Sequence, residues 1–179
     1  MTAEKRYWDS CCFLGYFKGE RDKEESCRAV LKEAKKGNIL IITSALTLAE
    51  VVNLKRATPI PVEDAKLLQK AFKEPYLRVR NVDEYIAELA RKMVWEYGFQ
   101  PKDSIHIATA MKHKIPFFDT FDEELIRLSG TMSNPPMRIG KPNVIHHEQV
   151  EIFEVSSSRV VMGEDDQENI LLRKFEELS

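Results

Sequence analysis

Ile39-Leu40-Ile41-Ile42-Thr43-Ser44 places four large aliphatic residues in a row and ends them on two hydroxyls. A continuous, largely β-branched run of this kind predicts a strand buried on both faces, the sort found in parallel sheets. Ser44 is a residue type that opens helices. It predicts a helix through about Lys55, with Ala45, Leu48, Ala49 and Val52 as the buried stripe. Upstream, Cys27, Val30, Leu31 and Ala34 recur at helical spacing within an amphipathic stretch from Glu24 to Lys36, and Gly37-Asn38 stops it. Further upstream, residues 5 to 9 read as a first strand entering an apolar helix, Cys11 to Lys18.

Downstream the same alternation continues. Pro59 and Pro61 interrupt the chain before a helix over Val62 to Lys73, and Tyr76 to Val82 alternates as a strand does. Asp83 caps a helix from Glu84 that ends at Gly98, and Asp103 opens another through about Lys112. Ile115 to Phe118 is a short strand, and Asp122 to Leu128 a short helix. Strands alternating with helices predict an α/β fold, a three-layer α/β/α arrangement around a central parallel sheet. Residues 130 to 142 read as loop, Val144 to Val155 as a further strand, and Asn169 to Leu178 as a terminal helix with Leu171, Phe175 and Leu178 on one face.

The chain has 179 residues, enough for one domain with a substantial core. No apolar run reaches the roughly 20 residues that span a bilayer, and the polar start, Met-Thr-Ala-Glu-Lys-Arg, lacks a signal core. Cys11, Cys12 and Cys27 make a poor disulfide framework and no zinc spacing. A cytoplasmic protein with reduced thiols is expected. The net charge of −2 is unevenly shared: residues 151–179 hold eight acids and three bases, leaving 21 acids and 24 bases in residues 1–150. The mildly basic body suits a polyanion partner without requiring one.

Four acids stand at strand and helix ends: Asp9, Glu50, Asp103 and Asp122. In an open parallel sheet, functional residues gather beyond the carboxyl ends of the strands. Asp9 and Asp122 follow the first and last strands, and Glu50 lies in the second turn after Ile39 to Ile42. Asp103 is the exception, because a long helix separates it from the next strand. If gathered, such a cluster would need a compensating divalent cation, Mg²⁺ or Mn²⁺. Any one of these acids, read alone, is more simply a cap or turn residue.

The string Asp103-Ser104-Ile105-His106-Ile107-Ala108-Thr109-Ala110 resembles the central helix motif of the PIN domain, the nuclease fold of VapC-type toxins. Asp9-Ser10, Ser44 through Leu48-Ala49-Glu50, and Thr120-Phe121-Asp122 follow the family's order over residues 5 to 130. The resemblance implies a PIN-like nuclease domain over residues 1–130; it says nothing of the C-terminal extension, 131–179, whose own residue pattern gives an extra strand and a short acidic helix. It implies a metal-dependent endoribonuclease leaving 5′-phosphate and 3′-hydroxyl ends, with RNA as substrate, a small antitoxin as partner, and a homodimer. Carried over motif by motif, the catalytic acids are Asp9, Glu50, Asp103 and Asp122. Asp9, Asp103 and Asp122 serve as ligands to Mg²⁺ or Mn²⁺, and Glu50 orients the attacking water. Ser10 and Thr120 hydrogen-bond a ligand carboxylate or the scissile phosphate. Two positions depart from the pattern: Ser104 replaces an alanine, and Asp119 adds an acid that is either a fifth ligand or a strand end facing water.

Other residues have plainer readings. His106 packs or bonds within its helix, outside the chemistry. His146-His147 decorate the surface, Cys11-Cys12 and both tryptophans, Trp8 and Trp95, are core, and Lys32, Lys35 and Lys36 form a solvated face. Two rival functions remain open at this stage: a PIN-like scaffold without catalysis, and an α/β domain using an aspartate as phosphate acceptor. Asp9 lacks the acidic neighbour, and Asp122 the following lysine, that the second rival requires.

Overall fold

The computed structural model describes residues 2–52 and 62–144. Five strands form one sheet: β1 (Glu4–Trp8), β2 (Ile39–Ser44), β3 (Leu77–Arg80), β4 (Phe117–Asp119) and β5 (Arg138–Gly140). Their order is β3-β2-β1-β4-β5, and every neighbouring pair is parallel. The helices are α1 (Ser10–Phe17), α2 (Arg21–Lys35), α3 (Ala45–Glu50), α4 (Val62–Ala71), α5 (Glu84–Tyr97), α6 (Pro101–Lys112) and α7 (Glu123–Ile126). This is the expected three-layer α/β/α fold.

Alternation along the strands divides the core in two. Tyr7, Ile42 and Phe118 sit side by side in register and face α5 and α6, where Ile86, Leu89, Met93 and Ile107 close over them. Trp8, Ile39 and Ile41 face the other way, against Cys12, Phe13, Cys27, Val30 and Leu68 from α1, α2 and α4. Each fully buried side chain of this size contributes about 1.5–3 kcal/mol. The continuous apolar run of β2 is thereby explained, since both of its faces meet a helical layer.

From β1 the chain builds outward to β2 and β3, then returns to place β4 on the other side of β1. That reversal opens a crevice at the carboxyl ends of β1 and β4, where open α/β sheets hold their ligands. Asp9 leaves β1 there and donates its backbone N–H to Asp119 O at 3.1 Å. Gly98, at φ +71°, ends α5 in the left-handed conformation that glycine adopts without strain. The three-residue connection that follows turns the chain back into α6, and so brings Asp103 to the same edge.

Several expectations need correction. Residues 130–142 contain β5, a three-residue strand that pairs with β4 in parallel, so the sheet draws on chain beyond Gly130. Asp103 does not open its helix: Gln100 is the cap, Pro101 begins the first turn, and Asp103 lies within it. The stripe predicted for α3 is misplaced. Leu48 and Val52 are exposed, while Thr47 and Val51 are buried, because the helix ends at Glu50 after six residues. Trp8 is core as expected, but Trp95 is 71% exposed and carries the Arg91 guanidinium over its ring at 4.8 Å. Cys12 and Cys27 are buried free thiols. The strand expected over Val144 to Val155 lies outside the described residues apart from its first position, and His146-His147 and the terminal helix lie wholly outside.

Candidate active site

Asp9 is the residue between β1 and α1, 6% exposed, and four donors hold its carboxylate. Oδ1 accepts the Ser10 N–H at 2.6 Å and the Ser10 hydroxyl at 3.2 Å. Oδ2 accepts the Thr120 hydroxyl at 2.9 Å and the Cys11 thiol at 3.3 Å. Thr120 Oγ1 in turn accepts the Asp122 N–H at 3.1 Å, so one hydroxyl ties the end of β4 to the end of β1. Ser10 and Thr120 therefore both hydrogen-bond the Asp9 carboxylate. Cys11, expected to be core packing, is half-buried and belongs to this network.

Glu50 reaches the same place from the last turn of α3. Its Oε2 lies 2.7 Å from His106 Nε2, and that nitrogen is 3.6 Å from Asp9 Oδ1. One ligand atom each from Asp9, Glu50 and His106 can be chosen so that all lie within 4.8 Å of one another. Burial would push the Glu50 carboxyl up. The His106 hydrogen bond, with Ser10 and the Lys102 charge, outweighs burial and holds it below the ordinary carboxylate range.

Asp103 behaves in the opposite way. Burial raises its carboxyl above the ordinary value, Lys102 opposes this, and the negative charges of Asp9 and Asp122 raise it further. Asp103 thus feels the two aspartates that the linear chain separates from it by 94 and 19 positions. Asp122 caps α7, Oδ1 accepting the N–H groups of Glu124 at 2.8 Å and Leu125 at 3.4 Å. The protein's own offset to this negative charge is modest: Lys102 Nζ, itself exposed, stands 4.0 Å from Glu50 Oε1.

Asp119 does not join the cluster. Its Oδ2 accepts from Arg6 Nε at 2.8 Å and Trp8 Nε1 at 3.0 Å, and its Oδ1 from Arg6 at 2.6 Å. Burial pushes this carboxyl up, but a bidentate guanidinium that cannot lose its proton keeps it ionised. Of the two readings of Asp119, neither a ligand role nor a solvent-facing strand end fits: it is buried and paired.

His106 is the residue that sequence reasoning left out. It is 1% exposed, and its ring bonds across the site to Tyr7 and Glu50 rather than within α6. The signal was present, because Asp103 and His106 are three residues apart and share a helix face. Ser44 stands at the cap position of α3, yet its side chain makes no capping bond; its hydroxyl is 3.4 Å from His106 Nδ1.

A family model described as the PIN domain matches residues 6–130. The chain belongs to the PIN-domain family. Its solved structural neighbours include the sarcin–ricin loop cleaving toxin VapC20 of Mycobacterium tuberculosis, with TM-score 0.55, 15% identity, and coverage of 66% of this chain and 91% of that one. A toxin–antitoxin complex from Klebsiella pneumoniae aligns with TM-score 0.53 and 19% identity over 78% and 99% of the two chains. VapBC2 of Rickettsia felis, bound to a DNA fragment from its promoter, aligns with TM-score 0.53 and 15% identity over 75% and 96%. No curated protein matches this sequence. Among the described residues of this PIN domain, no helix is long and apolar enough to cross a membrane.

The donor set fits a hard divalent cation. Carboxylate oxygens are the ligands Mg²⁺ and Mn²⁺ prefer. An acid whose proton affinity is raised partly by like charge is one whose strain a cation would relieve.

Proposed function

We propose that this PIN domain is a divalent-metal-dependent endoribonuclease, the toxin of a toxin–antitoxin pair, working in the cytoplasm on RNA. What supports this reading is the edge beside β1 and β4, where Asp9 and Glu50 offer ligand atoms within 4.8 Å of each other and of His106, and where Asp103 feels the negative charges of Asp9 and Asp122. Asp9, Asp103 and Asp122 hold the ion, Mg²⁺ or Mn²⁺, directly or through water. When bound, the ion supplies Lewis acidity toward phosphate and water.

Every other task falls to side chains of the chain. Ser10 and Thr120 fix the Asp9 carboxylate by three of its four hydrogen bonds, so that its oxygens keep one orientation when the ion arrives. Glu50 stays ionised and orients the attacking water, its Oε2 being turned toward His106. Lys102, exposed at the mouth, meets the RNA phosphate as a flexible point charge. Asp122 joins cap and site, which sets the approach of α7 to the crevice. Like-charge repulsion of Asp103 by Asp9 and Asp122 is unfavourable in a scaffold that binds nothing there, so the catalytic reading is preferred to the inert one.

The neighbour described as a toxin–antitoxin complex supports a small antitoxin as partner, and a homodimer as the working form rests on the resemblance to VapC toxins alone. The test of catalysis is direct. Asp9→Asn and Asp103→Asn are compared with wild type on RNA in Mg²⁺ and in Mn²⁺, with loss of cleavage expected in both. Undiminished cleavage by either variant removes its acid from the mechanism, and survival in both removes the mechanism.

A further inference from the structure

Asp9, Glu50 and His106 have the spacing of a three-ligand metal site, and imidazole is a common ligand. The hydrogen bonds around His106 argue for a different role. Tyr7 is fully buried beneath the site, and its phenolic oxygen accepts the Ser44 N–H at 3.2 Å. The phenolic proton is then directed at the other close partner, His106 Nδ1, at 2.7 Å. The Ser44 hydroxyl stands at the same nitrogen, 3.4 Å away. On the far side of the ring, Nε2 faces Glu50 Oε2 at 2.7 Å, and an ionised carboxylate has no proton to give. Both sides of the ring thus select one arrangement, with Nδ1 accepting and Nε2 bearing the proton.

We propose that His106 is a positioning residue, held by Tyr7 as the neutral Nε2–H tautomer, which aims the Glu50 carboxylate into the crevice and does not itself bind the metal. A nitrogen that donates to Glu50 has no lone pair for an ion. Ligation would require the proton to move to Nδ1, leaving Tyr7, buried against Phe118, with its own proton facing another donor. The metal site is therefore all-oxygen, which favours Mg²⁺ and Mn²⁺ over Zn²⁺. Glu50 is fixed by one oxygen, Oε2, and Oε1 remains on the side of Lys102. The inference rests on the nuclease reading for its kinetic consequence alone; the tautomer is read without any reaction.

The experiment is a long-range nitrogen–proton spectrum of the histidine side chains in the full chain, with His106→Gln used to assign the His106 signals. Nδ1 is expected unprotonated and Nε2 protonated, both before and after saturation with Mg²⁺. A protonated Nδ1, or loss of the Nε2 proton when Mg²⁺ is added, overturns the proposal. Tyr7→Phe removes one buried oxygen and keeps the ring. It is expected to release the tautomer and lower kcat by about 10–100-fold with KM within about twofold. His106→Gln can offer an amide N–H in place of Nε2–H, and is expected to keep more of kcat than His106→Leu at equal folded fraction. Equal loss in Gln and Leu variants, or a Tyr7→Phe change confined to KM, also overturns it. A protein with the expected tautomer that cleaves no RNA would remove the nuclease reading and leave this assignment standing.

Discussion

Asp9 and Asp119 lie at the ends of adjacent parallel strands, both almost wholly buried, and the protein treats their charges in opposite ways. Asp119 receives a full counter-charge in a bidentate Arg6, together with the Trp8 N–H. Asp9 receives neutral donors, two from Ser10 and one each from Thr120 and Cys11. It also shares its surroundings with Glu50 and Asp103. The first arrangement is complete as it stands and holds β1 to β4. The second stabilises each carboxylate as an acceptor while leaving the net charge of the group to be met from outside. A buried acid with an internal cation is structural, and a buried group without one implies a ligand of the missing charge.

The largest effect expected from this contrast is on chemistry. Asp103→Asn should abolish metal-dependent RNA cleavage, followed as product formation on a gel, while Asp119 variants that remain folded should keep it. Next is stability. Asp119→Ala takes the bidentate partner from the buried Arg6, leaving it only the single contact to the partly exposed Glu4, and should cost up to about 3–5 kcal/mol by urea denaturation. The paired replacement Arg6→Met with Asp119→Leu should recover most of that loss, as it leaves no buried charge.

A smaller effect of opposite sign is expected at the site. The Asp103 carboxyl binds its proton more tightly in the folded chain than in the unfolded one. The metal-free protein therefore carries a penalty above the folded-state pKa, and stability is regained as pH falls through that value toward the ordinary aspartate range. Asp103→Asn should remove this part of the pH dependence. It should stabilise the metal-free protein at neutral pH by roughly 0.5 kcal/mol, the half-buried position being partly screened. Smallest of all is Trp95→Ala. Its ring is mostly in water, so thermal unfolding should move by less than about 0.5 kcal/mol, against the 3–5 kcal/mol of a core aromatic.

The sequence was most legible where one signal had one meaning. The apolar run at Ile39 to Ile42 required two covered faces, and Gly98 marked the end of α5. A short helix after β4 could be placed from Asp122 onward, and Asp122 is its cap. Legibility failed where a side chain's partner came from far along the chain. Asp119 looked like a spare ligand because nothing local announces Arg6, 113 positions earlier. His106 was set aside although it shares a helix face with Asp103, because its partners Tyr7 and Glu50 come from β1 and α3. Trp95 stands two positions after the buried Met93, which on a helix is nearly the opposite side, so its exposure was readable and was missed. β5 offered only three residues beside Pro135-Pro136, too short for an alternating pattern to show.

The account depends on one claim, that the acids at the β1–β4 crevice form a single site whose missing charge is a divalent ion. Calorimetric titration of Mn²⁺ into the metal-free wild-type protein, beside Asp9→Asn and Asp119→Asn, tests it most directly. Saturable binding in the wild type and in a folded Asp119→Asn, with affinity lost in Asp9→Asn, is the predicted result. The same isotherm for Asp9→Asn as for wild type, or no binding by the intact folded protein, would contradict it.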